Sequence, residues 1–410
     1  LNVTLDNVNI TAKNDAALSV EGAGDTKITL RGSNTLTNDL LHAGLEHNEK
    51  SEDGSYTGKL TITSEKDADG NDTGSLTATG GNGAAGIGSS DGNGAGTIEI
   101  TGGNNAAGIG SGYNSNGNTT INIEGGTIVK AQGGSGRGSS GGAGIGSGDI
   151  GSGYTGSSTT NITISGGTIK EAVGGNTGDG IGGGGSSNNT TVTINGGRIE
   201  KAQGGQGYSI FDGGDGIHSG SVVKISGDTI TKATGGNATG ENSTGGSGIG
   251  GSFVNVAGGT INTTGGSGKS GGAGIASSGT VSISNGKIEQ ATGGRATGED
   301  GTGGSGIRSG DTLTISNSAT ITNATGGTST NGNGGSGIYS KGDLSIEGGT
   351  IGTAQGGEGK TSGGHGIYGV GQLTISDNAA ITNATGGNAT SIDGTGGNGI
   401  FSDGKLSIEK

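Results

Sequence analysis

A chain of 410 residues with 107 glycines, six tyrosines, three phenylalanines and no proline, cysteine, methionine or tryptophan lacks the bulky residues of an ordinary globular core. The missing cysteines exclude a disulfide framework and zinc-finger chemistry, and 35 carboxylates against 21 basic residues leave no cationic stripe for nucleic acid. No apolar run is long enough to cross a bilayer, so no membrane span is expected in this segment.

Such a composition by itself describes a flexible chain, but its aliphatic residues recur. Residues 1–79 open with three alternating runs, Val3 and Leu5, Val8 and Ile10, then Leu18 and Val20, before Ile28 and Leu30 begin a further turn. The charged stretches at 42–58 and 65–74 read as loops that project outward. Residues 80–410 continue in a glycine-rich form. Two short turns carry GNGAAGIGS and NNAAGIGSG, and DIGSGYTGSS at 149–158 interrupts the rhythm as an insertion. From 158 onward the unit is steady: a first strand, Gly-Gly or an equivalent turn, a second strand with Ile and then Ala, Gly-Gly, a polar loop, and Gly-Gly-x-Gly-Ile.

The first-strand pairs number fourteen, from Val3/Leu5 to Leu406/Ile408, spaced 23 to 41 residues apart and near 30 after position 162. A Gly-Ile marker keeps step with them at Ile87, Ile109, Ile145, Ile181, Ile217, Ile249, Ile275, Ile307, Ile338, Ile367 and Ile400. No single turn buries enough area to offset an ordering cost of about 1–2 kcal/mol per residue, so the turns must stack. The pattern therefore predicts an all-β chain forming one parallel β-helix (β-solenoid) of about 13 coils of roughly 30 residues, less regular over 1–79 and continuous with 80–410. The absence of proline fits strands paired on both edges. Ala131, Ala172, Ala202, Ala233, Ala291, Ala324, Ala354 and Ala384 fall near one register and imply close approach of chain to chain, and Gly326 and Gly335 are expected to tolerate no side chain. Because Lys410 ends inside a first strand and no leader precedes Leu1, the chain reads as a slice of something longer, whose cut strand edges invite end-to-end pairing with copies of itself.

If the marker isoleucines Ile307, Ile338, Ile367 and Ile400 point inward as structural core, their successors point out. Arg308, Tyr339, Tyr368 and Phe401 then form an exposed ladder, a candidate platform for sugar rings or a neighbouring module. The loops at 237–244, 295–302, 328–333 and 388–395, rich in Thr, Asn, Gly and Ser, are a second candidate surface. No catalytic set stands out. Asp179, Asp215, Glu241, Glu299, Asp300, Glu358 and Asp393 lie at unequal registers and read as solvated loop charge, whereas glycan cleavage needs converging carboxylates. His42 and His47 share a charged stretch, and His218 and His365 lie in different turns, so no metal or cofactor is expected.

The segments VTLDNVNITAKNDAALSV at 3–20 and KITLRGSNTLTND at 27–39, with the GGxGI repeats and strands of the type INIEGGTI at 121–128, resemble the right-handed β-helical surface proteins of clostridia and related Firmicutes described as carbohydrate-binding domain-containing. The resemblance implies a right-handed winding and a secreted or wall-bound, extracellular location. It also implies, for some members, binding of acidic plant polysaccharide with calcium in the site. Calcium would need a column of aspartates, and none recurs at one register. The expectation is thus a non-enzymatic structural and adhesive rod of a bacterial cell surface, with a lectin-like polysaccharide binder and a subunit of an end-to-end fibre as alternatives.

Overall fold

The computed structural model describes residues 1–50, 54, 57–81, 84–90, 95–100, 104–106, 108–112, 117–134, 141–148, 159–184 and 189–409. The insertion at 149–158 and part of the charged stretch at 42–58 lie outside them. Among the described residues there are strands and turns but no helix, so none long and apolar enough to cross a membrane. The strand pairings are parallel, as a β-solenoid requires, and one antiparallel bridge, Lys66 to Asp72, closes the small hairpin at 65–74. The chain divides into two compact units, Leu1–Ala202 and Gln203–Lys410.

In the first unit the inward residues of the first strands stack turn on turn. Val3 pairs with Ile28, Ile28 with Ile62, Ile62 with Ile100, and the column runs on through Ile123, Ile164 and Ile194. One junction departs from simple alignment of the apolar pairs: Leu60 sits beside Thr26 and Ile62 beside Ile28, with Leu30 opposite Ser64. A slip of two residues keeps every side chain on its own face, so the core survives it, whereas a slip of one would turn the strand inside out.

The marker column starts earlier than its glycine signature suggests. Leu18 pairs with Leu45 and Leu45 with Ile87, after which Ile109, Ile145 and Ile181 follow. Hence the stretch at 42–58 does not simply project outward: Ala43, Leu45, Glu46 and His47 are all buried. The strand Leu45–Glu46 is needed to bridge the columns above and below it, and that pairing outweighs the local excess of charge.

The second unit is more regular. Val223, Val254, Val281, Leu313, Leu344, Leu373 and Leu406 stack in one column. Ile230, Ile261, Ile288, Ile321, Ile351 and Ile381 stack in the next. Burying each side chain from Val223 to Leu373 and from Ile230 to Ile351 contributes roughly 1.5–3 kcal/mol, whereas Leu406 is exposed. Beside the second column Ala233 pairs with Thr263, Thr263 with Ala291, and Ala324, Ala354 and Ala384 continue the series. Buried Thr263 is the one departure from alanine there.

Two features of the unit explain the glycine content. Asn317, at φ 56°, pairs with Gly348, at φ 75°, in the turn between first and second strands, a left-handed conformation that Asn and Gly share. The glycine doublets meet a different demand: a Cβ on Gly326 would lie 1.8 Å from Gly335 O. Even the polar loops stack, through parallel bridges Gly268 to Ala296, Ala296 to Ser329 and Asn333 to Ser362.

Candidate functional site

In the second unit the marker isoleucine opens a three-residue strand, Ile-x-Ser, over Ile275–Ser277, Ile307–Ser309 and Ile338–Ser340. The alternation of a strand turns Ile and Ser inward and the middle residue outward. The serine then fixes the following turn. Ser309 Oγ lies 2.7 Å from Gly279 O and 2.8 Å from Thr312 O, and Ser340 Oγ 2.8 Å from Asp311 O and 2.9 Å from Asp343 O. These bonds hold each strand at the same angle to its neighbours.

Stacking in register follows. Ile275 pairs with Ile307, Ile307 with Ile338, Ile338 with Ile367 and Ile367 with Ile400. The same pairings set Arg308 beside Tyr339, Tyr339 beside Tyr368 and Tyr368 beside Phe401, with Ala276 before them. Ile307, Ile338 and Ile367 are fully buried, while Ile400 is 37% exposed.

The rings lean on one another. Tyr339 and Tyr368 have centroids 5.3 Å apart at 58°, and Tyr368 and Phe401 5.5 Å apart at 40°. A fourth ring joins them: His365 stacks on Phe401 at 4.8 Å and 19° and stands 4.9 Å from Tyr368. The sequence places His365 in a different register from the other histidines, but its membership of this cluster was legible. It occupies the x of Gly-Gly-x-Gly-Ile, the position of Ser305, Ser336 and Asn398 in neighbouring turns.

Polar contacts lock the cluster. The Asn398 backbone N–H donates to His365 Nδ1 at 2.9 Å, which fixes the neutral ring with its proton on Nε2. Burial pushes the His365 pKa down, against a weaker opposing pull from the Asp403 carboxylate. The Tyr368 hydroxyl donates to Asp403 Oδ2 at 2.6 Å, and that bond, with burial, pushes the phenol up to about 12.

Between the ladder and the x column runs a groove of about 550 Å³, walled by Arg308, Tyr339, Tyr368 and His365 and edged by the hydroxyls of Thr302, Ser305 and Ser336. Glycines of the doublets also line it, but Gly303, Gly304, Gly334 and Gly335 are buried and their N–H groups donate to carbonyls of Asn333, Gly294, Ser362 and Gly327. The exposed Arg308 guanidinium has no ion-pair partner among the described residues. A second hollow of about 490 Å³ lies over the loops at 237–244 and 295–302, lined by Asn237, Glu241, Ser267, Lys269 and Thr297. Its edges are tied across turns by Asn237 Oδ1, which accepts the Ser267 N–H at 2.9 Å, and by Lys269 Nζ, which donates to Asn242 Oδ1 at 3.0 Å.

Two carboxylates expected to be solvated are structural instead. Asp179 of the first unit is 6% exposed and accepts the Gly183 N–H at 2.9 Å. In the second unit Asp215 Oδ1 accepts the Ser247 N–H at 2.5 Å. Both occupy the x of the marker motif, where a side chain must satisfy backbone groups at the bend. Comparisons of the chain with protein-family models, with curated proteins and with solved structures found no match.

Proposed function

We propose that this chain is a non-enzymatic structural and adhesive β-solenoid of a bacterial cell surface, and that the groove of its second unit takes an extended polysaccharide. The observation that carries the reading is the repetition of the groove's walls. Ser305 and Ser336 on one side and Tyr339 and Tyr368 on the other recur with the strand spacing of roughly 4.8 Å, so a polymer lying along the turns meets similar groups at each step. Side-chain hydroxyls suit the hydroxyls of a sugar, and ring edges and faces suit its C–H surfaces.

Cleavage is not part of the proposal. Among the described residues lining the groove there is no carboxylate, and glycoside hydrolysis needs a pair of them flanking the bond. The extracellular, cell-surface location rests on the resemblance carried by residues 3–39.

A specific observation favours a second reading, in which the wall is purely structural: its rings pack on one another and the Tyr368 hydroxyl is already bound to Asp403. A glycan array with the full chain and with the Tyr339→Ala/Tyr368→Ala variant separates the two. Binding lost in the variant supports the groove; absence of binding by the intact chain leaves the structural solenoid.

A further inference from the structure

His47 occupies a seat that serine takes in later turns of the first unit. Its backbone N–H donates to Gly88 O at 2.7 Å, as those of Ser89, Ser111 and Ser147 donate to Gly110, Gly146 and Gly182 O at 3.1 Å. Like those serines it is buried, at 1% exposure. The serine seat is built for an acceptor: Ser89 Oγ accepts the Gly112 N–H of the next turn at 2.8 Å.

The surroundings of His47 ask for the opposite. Nδ1 lies 2.7 Å from Ala95 O and Nε2 lies 2.7 Å from Gly58 O. A carbonyl oxygen only accepts, and a neutral imidazole has one N–H to give. A neutral ring would therefore satisfy one carbonyl and aim a lone pair at the other. An imidazolium satisfies both, and two charge-assisted bonds offset the cost of burying its charge.

We propose that His47 is held as a buried imidazolium, a proton-dependent staple that joins the backbone at Gly58 and Ala95 to the strand Leu45–Glu46 and loosens as the pH rises. The nearby charged groups are engaged elsewhere. Glu46 accepts from the Ala43 N–H at 3.2 Å and from Asn48 Nδ2 at 2.9 Å and faces His42 Nδ1 at 2.9 Å. Glu49 accepts the Asn118 N–H at 2.6 Å. On the adjoining segments Glu21 accepts from Ser19 Oγ at 3.0 Å and Asp25 accepts the Lys59 N–H at 2.9 Å. Among the described residues, the cations Lys50 and Lys59 are the remaining charges on the segments that carry His47 and Gly58, and Glu52 and Asp53 lie outside the described residues. The two ring protons thus rest on backbone carbonyls, not on a carboxylate.

The sign follows from proton counting. Above histidine's ordinary range, about 6.5, the unfolded chain releases a proton that the folded staple needs, so stability falls as pH rises. Ring-nitrogen NMR of the ¹⁵N-labelled full chain at about pH 7.5 tests the proposal directly. The expected result is a His47 ring with both nitrogens bonded to hydrogen; one nitrogen with a bare lone pair would overturn it. A second measurement uses His47→Gln, which has a single amide to donate. From about pH 5.5 to about pH 8.5, limited proteolysis on heating should show the first unit of the native chain losing a few degrees of resistance, and the variant, which keeps the His42–Glu46 pair but starts lower, losing less. Equal pH dependence in both chains would also overturn the staple.

Discussion

At the residue after the marker isoleucine, the two units part. In the glycine-rich turns of the first, Gly88, Gly110, Gly146 and Gly182 take φ values of 136°, 138°, 140° and 146°, and a Cβ on Gly110 would meet Gly146 O at 1.8 Å. In the second, Ala276, Arg308, Tyr339 and Tyr368 stand at the same place on ordinary extended backbone, in the middle of strands that run one residue further, to Ser277, Ser309, Ser340 and Gly369. The serines differ to match: Ser89 accepts an N–H from the next turn, whereas Ser309 and Ser340 donate to carbonyls. The same isoleucine marker thus supports two backbone solutions, one in each unit, and only the second displays side chains.

The sharpest way to break that comparison is to place the same side chain at matched positions. Gly146→Val meets both a left-handed φ and a carbonyl, Gly182 O, 1.8 Å from the new Cβ, and is expected to cost about 3–5 kcal/mol. Arg308→Val, at the corresponding outward position, should stay within about 0.5 kcal/mol. Thermal unfolding followed by circular dichroism checks both, and similar losses would show that the two backbones do not differ as described.

A smaller effect is expected from the serine that keeps the second unit's strand extended. Ser340→Ala removes a buried hydroxyl shared by Asp311 O and Asp343 O, and should cost about 1–2 kcal/mol. Ser147→Ala loses only a long acceptor bond, 3.3 Å from the Gly184 N–H, and should cost less. The ordering of the two denaturation midpoints is the readout.

The isoleucine columns of both units were legible because burial selects aliphatic residues at a fixed spacing, and so was the alanine column. What escaped the sequence has a common cause: pattern reports on which side chains meet water, not on where one backbone touches the next. Leu18 and Leu45 belong to the marker column but have leucine for isoleucine and no glycine after it, and the two-residue slip at Leu60 changes no face. Charge density around His47 and Asp179 suggested solvent, although each satisfies backbone groups inside a bend. His365 was set aside as a lone histidine because register was compared among histidines and not along the x of the marker.

The aromatic cluster gives the second unit a pH response of its own, modest because its groups are partly exposed. For Tyr368 the folded chain keeps its proton until about 12, whereas an unfolded tyrosine releases it near 10. Stability from this bond is therefore complete below about 10 and is lost as pH climbs toward 12. Asp403→Asn should bring the last tyrosinate absorbance step back toward the ordinary range. His365 has the reverse sign: its lowered pKa favours the neutral ring, so its contribution is complete above about 6.5 and declines as pH falls through the folded value.

The smallest effect belongs to Arg308. Its guanidinium is exposed, and truncation to alanine should leave the unfolding midpoint unchanged within about 0.5 kcal/mol. At the end of the groove wall, a single exposed charge adds about 1 kcal/mol or less to a bound chain, a weakening of at most about fivefold in Kd. Loss of the two tyrosines removes a wall, not a contact, and should weaken polysaccharide binding far more. If titration calorimetry with a glycan found on the array gave the reverse order, recognition would be carried by charge at one turn. The repeated wall, which the second unit can build and the glycine-rich turns of the first cannot, would then be only packing.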